Sequence, residues 1–192
     1  NFKQIAADQD HGYRRCFDLR EVIEKTLHIL RPAYADDRHV LVMDVQTNVE
    51  LDSFPEQLEQ VLVLLVNNAV LHGFEGRQGG TVTVRARQKN HRTVRISVRD
   101  NGCGIPIQHQ ARIFEPFFTT KLGTGGSGLG LAVVRNIVDH VLGGRIHAVS
   151  QVGEGTKVVI DIPLHAPEVL SEPQFMLSGN YSGMQRNFQS SY

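Results

Sequence analysis

Residues 79–105 read GGTVTVRARQKNHRTVRISVRDNGCGI, and this stretch decides the fold. Val82, Val84 and Ala86 alternate with polar residues, and Val94, Ile96 and Val98 do the same, the period of two expected of half-buried strands. Asn90-His91-Arg92 supplies the turn between them. A hairpin needs antiparallel neighbours, which a doubly wound parallel sheet does not provide. Residues 145–150 and 157–162, joined across Gly153-Glu154-Gly155, repeat the pattern, and residues 40–45 add a fifth strand.

Helices fall between these strands. Leu19, Val22, Ile23, Thr26, Leu27 and Leu30 recur at helical spacing, with Asp18 placed as cap and Pro32 at the end. Leu58, Val61, Leu62, Leu65 and Ala69 mark one face of a second helix that Gly73 stops. Before it, Ser53 and Glu56 have capping-box spacing, and Pro55 sits near the first helical position. A short helix is expected around residues 106–113 and a longer one over 129–142. The sum is five strands and about four helices in mixed order. The fold class is α+β, a two-layer α/β sandwich whose mixed five-stranded sheet is covered by about three helices. Residues 1–16 read as the remnant of something upstream, residues 17–164 as the folded domain. Residues 165–192, rich in Ser, Gln, Asn and Gly without periodicity, read as a flexible tail.

A length of 192 residues suits one well-cored domain with attachments, and 41% hydrophobic with 21% charged residues is ordinary for a globular protein. Twenty basic and twenty acidic residues cancel, so nothing in the balance points to nucleic acid or to direct contact with an anionic membrane. Cys16 and Cys103 form no ligand cluster, and a reduced, cytoplasmic setting is expected. The longest apolar run, 61–66, is too short to span a bilayer. The first residue is Asn rather than Met, which reads as a fragment of a parent that an inner membrane could anchor.

Four segments carry chemistry. Asn68 shares a helical stripe with Leu64 and His72; beside an apolar face its amide needs a partner, either local backbone or a magnesium ion, which favours oxygen ligands. Asp100-Asn101-Gly102-Cys103-Gly104-Ile105 follows a buried strand, where glycines admit a flat ligand and a carboxylate can accept from an exocyclic amine; an ordinary Asn-Gly turn fits the same letters. Phe114-Glu115-Pro116-Phe117-Phe118-Thr119-Thr120-Lys121 suits a lid whose lysine reaches phosphate, or a loop anchored by its rings. Gly123 to Leu131 feeds a helix amino terminus, as an anion cradle or a hinge. Gly123, Gly125 and Gly128 match G-x-G-x-x-G literally, but no predicted strand leads into them, and no P-loop motif occurs.

In order, Asn68-Ala69 on a helix, Asp100-x-Gly102-x-Gly104-Ile105, Phe114-Glu115-Pro116-Phe117 and Gly126-x-Gly128-x-Gly130-Leu131 resemble the N, G1, F and G2 boxes of sensor histidine kinases. The resemblance runs from about Phe17 to Pro163. It implies the Bergerat fold of the wider superfamily that includes gyrase, with ATP held between the helical layer and a lid. It implies magnesium on Asn68, the adenine amine on Asp100, and Gly102, Gly104 and Ile105 along the base. Phe117, Phe118, Thr119 and Lys121 are then lid residues, Lys121 and Asn68 serve catalysis, and Gly126, Ser127, Gly128, Leu129 and Gly130 hold the phosphates. His72 falls where members place a nucleotide-contacting side chain.

Many members carry Asn where Leu64 stands, and the gyrase-like ATPases carry there a glutamate that activates water. His11 lacks the helical setting of the family's phosphoacceptor. The implied reaction is transfer of the γ-phosphoryl group of ATP to a histidine on a helical hairpin of the parent protein, with a response-regulator receiver domain as later recipient. The isolated fragment is expected to be monomeric. The alternatives are a degenerate regulatory nucleotide-binding module, an anti-sigma-type serine kinase of the same superfamily and, more remotely, a dinucleotide enzyme.

Overall fold

A computed structural model describes residues 13–34, 39–75, 79–120 and 127–167. Residues 1–12 and 168–192, most of the expected upstream remnant and tail, lie outside the described residues. Strand β1 (Arg15–Asp18) passes straight into helix α1 (Leu19–Leu30). The Asp18 carboxylate accepts from the backbone N–H groups of Arg20 and Glu21, satisfying two of the donors a helix start leaves open. The six residues of the expected stripe form its buried face, and the Thr26 hydroxyl donates to Val22 O at 2.8 Å. A 3-10 turn, Arg31–Tyr34, takes up Pro32 beyond the last helical turn.

Strands β2 (His39–Val45) and β3 (Glu50–Ser53) precede helix α2 (Pro55–Asn68), which one π-helical turn, Ala69–Gly73, extends. Strands β4 (Gly80–Asn90) and β5 (Thr93–Asp100) form the central hairpin, turning on His91 and Arg92. Helix α3 (Ile107–Gln110) is a single turn. Helix α4 (Gly130–Asn136) runs on through a π-helical turn, Ile137–Val141, and strands β6 (Arg145–Gln151) and β7 (Gly155–Pro163) are the last described elements.

The five-stranded sheet has the order β2-β4-β5-β7-β6; β2 and β4 are parallel and the other neighbours antiparallel. The parallel pair needs a long crossover, which β3 and α2 supply. On the inner face Val84 opposes Val98 and Ala86 opposes Ile96, and β7 continues the rows with Val158 and Ile160. Helices α1, α2 and α4 cover that face through Ile23, Leu58, Leu62 and Val134, all fully buried. Each such aliphatic side chain contributes about 1.5–3 kcal/mol through burial. This is the mixed five-stranded, three-helix sandwich the sequence implies.

The differences are local. β1 and β3 form an antiparallel two-stranded sheet, Arg15 opposite Ser53 and Asp18 opposite Glu50, which the sequence reading did not contain. Ser53 therefore does not cap α2. It ends β3, Phe54 stands at the cap without a side-chain bond, and the buried Ser53 Oγ has no hydrogen-bond partner. The expected helix over 106–113 shrinks to α3. Residues near both ends of the described chain meet at Asp52. Arg14 donates to its carboxylate from Nε at 2.9 Å and Nη2 at 2.7 Å, while Asp52 N donates to Leu164 O and Ala166 N to Asp52 O, each at 2.8 Å. Packed structure thus reaches slightly beyond residues 17–164 at both ends.

Ser53→Ala removes a buried, unbonded hydroxyl, so urea unfolding should show unchanged or higher stability, by up to about 1 kcal/mol. A loss of about 1 kcal/mol, the size of a missing cap, would restore the capping role. On the outer face, Arg95 donates to Asp161 from Nε and Nη2, each at 2.7 Å, and Lys89 Nζ adds a third bond at 3.0 Å. These cations, Arg95 foremost, pull the Asp161 carboxyl down to about 2. A depressed carboxylate stabilises above the ordinary range near about 4 and loses that contribution as pH falls through the folded-state value. The gap in Tm between the wild type and Asp161→Asn should therefore close between pH 4 and pH 2; a constant gap would contradict it.

Candidate functional site

The site lies where the carboxyl end of β5, the last turns of α2 and the start of α4 converge. Along α2, Leu64, Asn68 and His72 form the expected stripe, and the π-helical turn carries it on to Leu71 and Glu75. π-turns inside helices are frequent at functional places. Asn68 and His72 are half-buried, and the Tyr34 hydroxyl donates to the neighbouring Asn67 Oδ1.

At the end of β5, Asp100 is 5% exposed. Its Oδ1 accepts from Gly102 N at 2.8 Å and Thr156 N at 3.2 Å. Burial pushes its pKa up and the backbone donors pull it back. The following loop is held on both sides. Cys103 N donates to Gly73 O and Gly153 N to Cys103 O, each at 2.8 Å, and Ile105 N donates to Ser150 Oγ at 2.8 Å. Gln110 Nε2 reaches Ile105 O at 2.8 Å and Ser150 O at 2.9 Å. Glycine is required here: a Cβ at Gly102 would stand 2.2 Å from Gly73 O, and Gly104 has φ +71° with its Cβ position 2.0 Å from Gln151 O.

Beyond α3, the Arg112 guanidinium lies over the Phe118 ring at 4.6 Å, and the His109 ring is 5.6 Å from it. Phe117 takes φ +65° and is 73% exposed. Gly128, with φ +68°, packs on the Phe117 backbone, where a Cβ would come to 2.5 Å of the carbonyl carbon.

These elements enclose a cavity of about 410 Å³. It brings together Asn68, His72, Gly104, Ile105, Phe118, Thr119, Ser127, Gly128 and Gly130 from the sequence expectation. Asp100 and Gly102 are not on its wall: the carboxylate sits one layer beneath, behind Gly73 and the Gly102 turn. Phe117 and Leu129 do not line it either, Phe117 because its backbone turns the ring to solvent. Lys121 and Gly126 lie outside the described residues. The sequence reading missed Asn67, Leu71, Glu75, Cys103 and His109 as wall residues. The helical stripe through Asn68 could have found Leu71 and Glu75; nothing local marks His109.

The wall suits a nucleotide. One side is apolar, with Leu64, Leu71, Ile113 and Leu131; the other offers an amide, hydroxyls and glycine backbone at the start of α4. Among the described residues no group of three or more His, Cys, Asp or Glu could hold a metal by itself. A magnesium ion would fit only as a bridge from the Asn68 carboxamide oxygen to ligand phosphates, which is how that ion is commonly bound.

Residues 54–166 match the family described as histidine kinase-, DNA gyrase B-, and HSP90-like ATPase. The sensor histidine kinase ZraS of Klebsiella oxytoca is 37% identical over 152 residues, which cover 79% of this chain and 32% of that protein. The circadian input-output histidine kinase CikA of Synechococcus elongatus is 33% identical over 180 residues, covering 90% of this chain and 23% of its own. The chain thus spans about a third or less of these curated relatives. The nucleotide-free catalytic domain of histidine kinase ThkA superposes with a TM-score of 0.71 at 26% identity, covering 80% of this chain and 97% of that one. The mycobacterial sensor histidine kinase MprB gives 0.68 at 26% identity, covering 81% and 100%. ThkA in complex with the response regulator protein TrrA gives 0.65 at 25% identity, covering 78% and 41%.

Gly104→Ala should cost at least about 1–3 kcal/mol, because it adds a left-handed penalty to a backbone clash. Urea unfolding followed by tyrosine fluorescence checks this, and a neutral result would mean that the loop is not fixed as described.

Proposed function

Since this chain belongs to the histidine kinase-, DNA gyrase B-, and HSP90-like ATPase family, we propose that its cavity holds magnesium-ATP for transfer of the γ-phosphoryl group to a histidine elsewhere in its protein. It is the ATP-binding catalytic domain of a two-component sensor histidine kinase. The observation that carries the reading is the convergence of Asn68, the Gly104–Ile105 loop and the Ser127–Gly130 segment on one cavity.

The apolar side takes the adenine, with Gly104 and Ile105 along the base. Asp100, beneath Gly102, accepts from the exocyclic amine directly or through a water. Ser127, Gly128 and Gly130 face the phosphates at the amino terminus of α4, joined by Gly126 and Leu129. Asn68 supplies the protein's oxygen to magnesium, and His72 stands one turn on. Phe118, Thr119 and Lys121 belong to the covering lid, Lys121 reaching phosphate, with Phe117 at its outer side. Magnesium, when bound, neutralises phosphate charge; otherwise catalysis here is positioning. An imidazole nitrogen of the acceptor forms the new P–N bond as the bond from the γ-phosphorus to the β–γ bridging oxygen breaks, and ADP leaves.

Leu64 lines the cavity and offers no base for water, which favours transfer to a protein acceptor over hydrolysis. The acceptor is placed on a helical hairpin of the parent protein and the next recipient on a response regulator, in keeping with the ThkA–TrrA complex. Among the described residues no helix is long and apolar enough to cross a membrane, and Cys16 and Cys103 are exposed free thiols. A cytoplasmic setting belongs to this proposal through the intracellular supply of ATP that the reaction uses, whether or not the parent is anchored.

Calorimetric titration of a non-hydrolysable ATP analogue, ADP and NAD, with and without Mg²⁺, tests the proposal. Adenine nucleotide should bind with magnesium dependence. Asn68→Ala should weaken the magnesium form at least about tenfold, the scale of one lost charge-assisted contact, and change the metal-free form little. Binding that prefers NAD, or an Asn68→Ala variant that keeps the full magnesium effect, would remove the assignment.

A further inference from the structure

The sheet's other face, away from the helices, carries a second concavity of about 260 Å³, bounded by Thr81, Thr83, Arg85, Ser97, Arg99 and Lys157, with Asp100 and Asn101 at its end. Register explains the grouping. Thr83, Arg99 and Lys157 stand opposite one another in one row across β4, β5 and β7; Arg85 and Ser97 stand opposite in the next. We propose that this concavity is a binding site for a phosphate group, held by Arg99, Lys157 and Arg85 and by the hydroxyls of Thr81, Thr83 and Ser97.

Three observations carry it. First, the other cations of β4 and β5 are neutralised: Arg85 and Arg87 bond to Asp44, and Lys89 and Arg95 to Asp161. Arg99 and Lys157 make no ion pair among the described residues, although they face each other directly across two strands. Like charges so placed repel, and a bound anion removes the repulsion. Second, Ser97 is 5% exposed and its hydroxyl has no hydrogen-bond partner among the described residues, yet it borders the concavity. The oxygen itself keeps contact with solvent, so it is free to donate to a ligand in the concavity. Third, the donors outnumber what a carboxylate accepts. A guanidinium, an ammonium, the part of Arg85 not engaged by Asp44 and three hydroxyls match the several oxygens of a phosphate. Asp100, the one acidic residue bordering the concavity, turns its carboxylate inward, with Oδ1 committed to Gly102 and Thr156 N–H.

The source can be a soluble phosphate compound or a lipid headgroup, and two arms of one experiment separate them. Inorganic phosphate is titrated into the ¹⁵N-labelled chain at constant ionic strength, following amide shifts in two-dimensional NMR. Saturable shifts are expected at Thr83, Ser97 and Lys157, and in Arg99→Gln/Lys157→Gln the affinity should fall at least about tenfold. The inner-face amides of Val84 and Ile96 report that this variant is folded, and its ATP-analogue affinity should stay within about twofold, as for most surface substitutions. Ser97→Ala, which leaves both cations in place, should weaken phosphate severalfold. In the second arm the chain is sedimented with phosphatidylcholine vesicles with and without phosphatidic acid. Co-sedimentation that needs phosphatidic acid and is lost in the double variant assigns a headgroup, whereas saturable phosphate binding without it assigns a soluble ligand. No saturable shift at the three amides, or equal shifts in the folded double variant, overturns the site.

Discussion

Keeping a carboxylate buried at the end of a sheet sets the terms for this end of the molecule. Asp100 is all but withdrawn from water, and a charge so placed costs several kcal/mol unless donors replace the lost solvent. The donors are the N–H groups of Gly102 and Thr156, and they reach it only because the surrounding chain carries no side chains. A Cβ at Gly73 would come to 3.0 Å of the carboxylate oxygen, and one at Gly155 to 2.2 Å of Asp100 O. Gly73 and Gly155 are thus required by how closely the chain packs around Asp100.

The same constraint ties the cavity's two sides together. Gly73, the last residue of the π-helical turn, accepts from Cys103 N, so the helix that presents Asn68 ends on the loop that covers Asp100. Gly73 stands five positions after Asn68 in the chain. A shift of either element moves the other, which makes the amide and the carboxylate parts of one rigid arrangement.

This arrangement was legible in the sequence where its cause is local. The stripes of α1 and α2 and the alternation of β4 and β5 repeat within a few residues, and the polar positions interrupt those patterns at fixed spacing. β1 and β3 are four residues each, without alternation, and pair Arg15 with Ser53 across a long separation, so no short-range pattern announces them. That missing partner is why Ser53, well placed for a cap by spacing, ends in a ladder instead. Leu71, Ile113 and Leu131 escaped notice as wall residues because the letters that line a cavity are those that fill a core. Phe117 and Phe118 are the same residue type side by side, and only the left-handed backbone of Phe117 separates their fates.

Composition misleads in a related way. Twenty positive and twenty negative side chains sum to zero, which speaks against a strongly charged molecule and says nothing about a single face. Alternation along β4 and β5 sends Arg85, Arg87, Arg95 and Arg99 outward because the residues between them are needed inside. The acids that answer them come from β2 and β7, Asp44 and Asp161, and neither reaches the row of Arg99. Arg99 precedes Asp100 in β5, one pointing out and the other in, and its charge helps, as the smallest of several influences, to hold that carboxylate ionised. Burial and the backbone donors dominate at Asp100, so the inner carboxylate is set by its own loop and the outer row of cations is left to answer to its own surroundings.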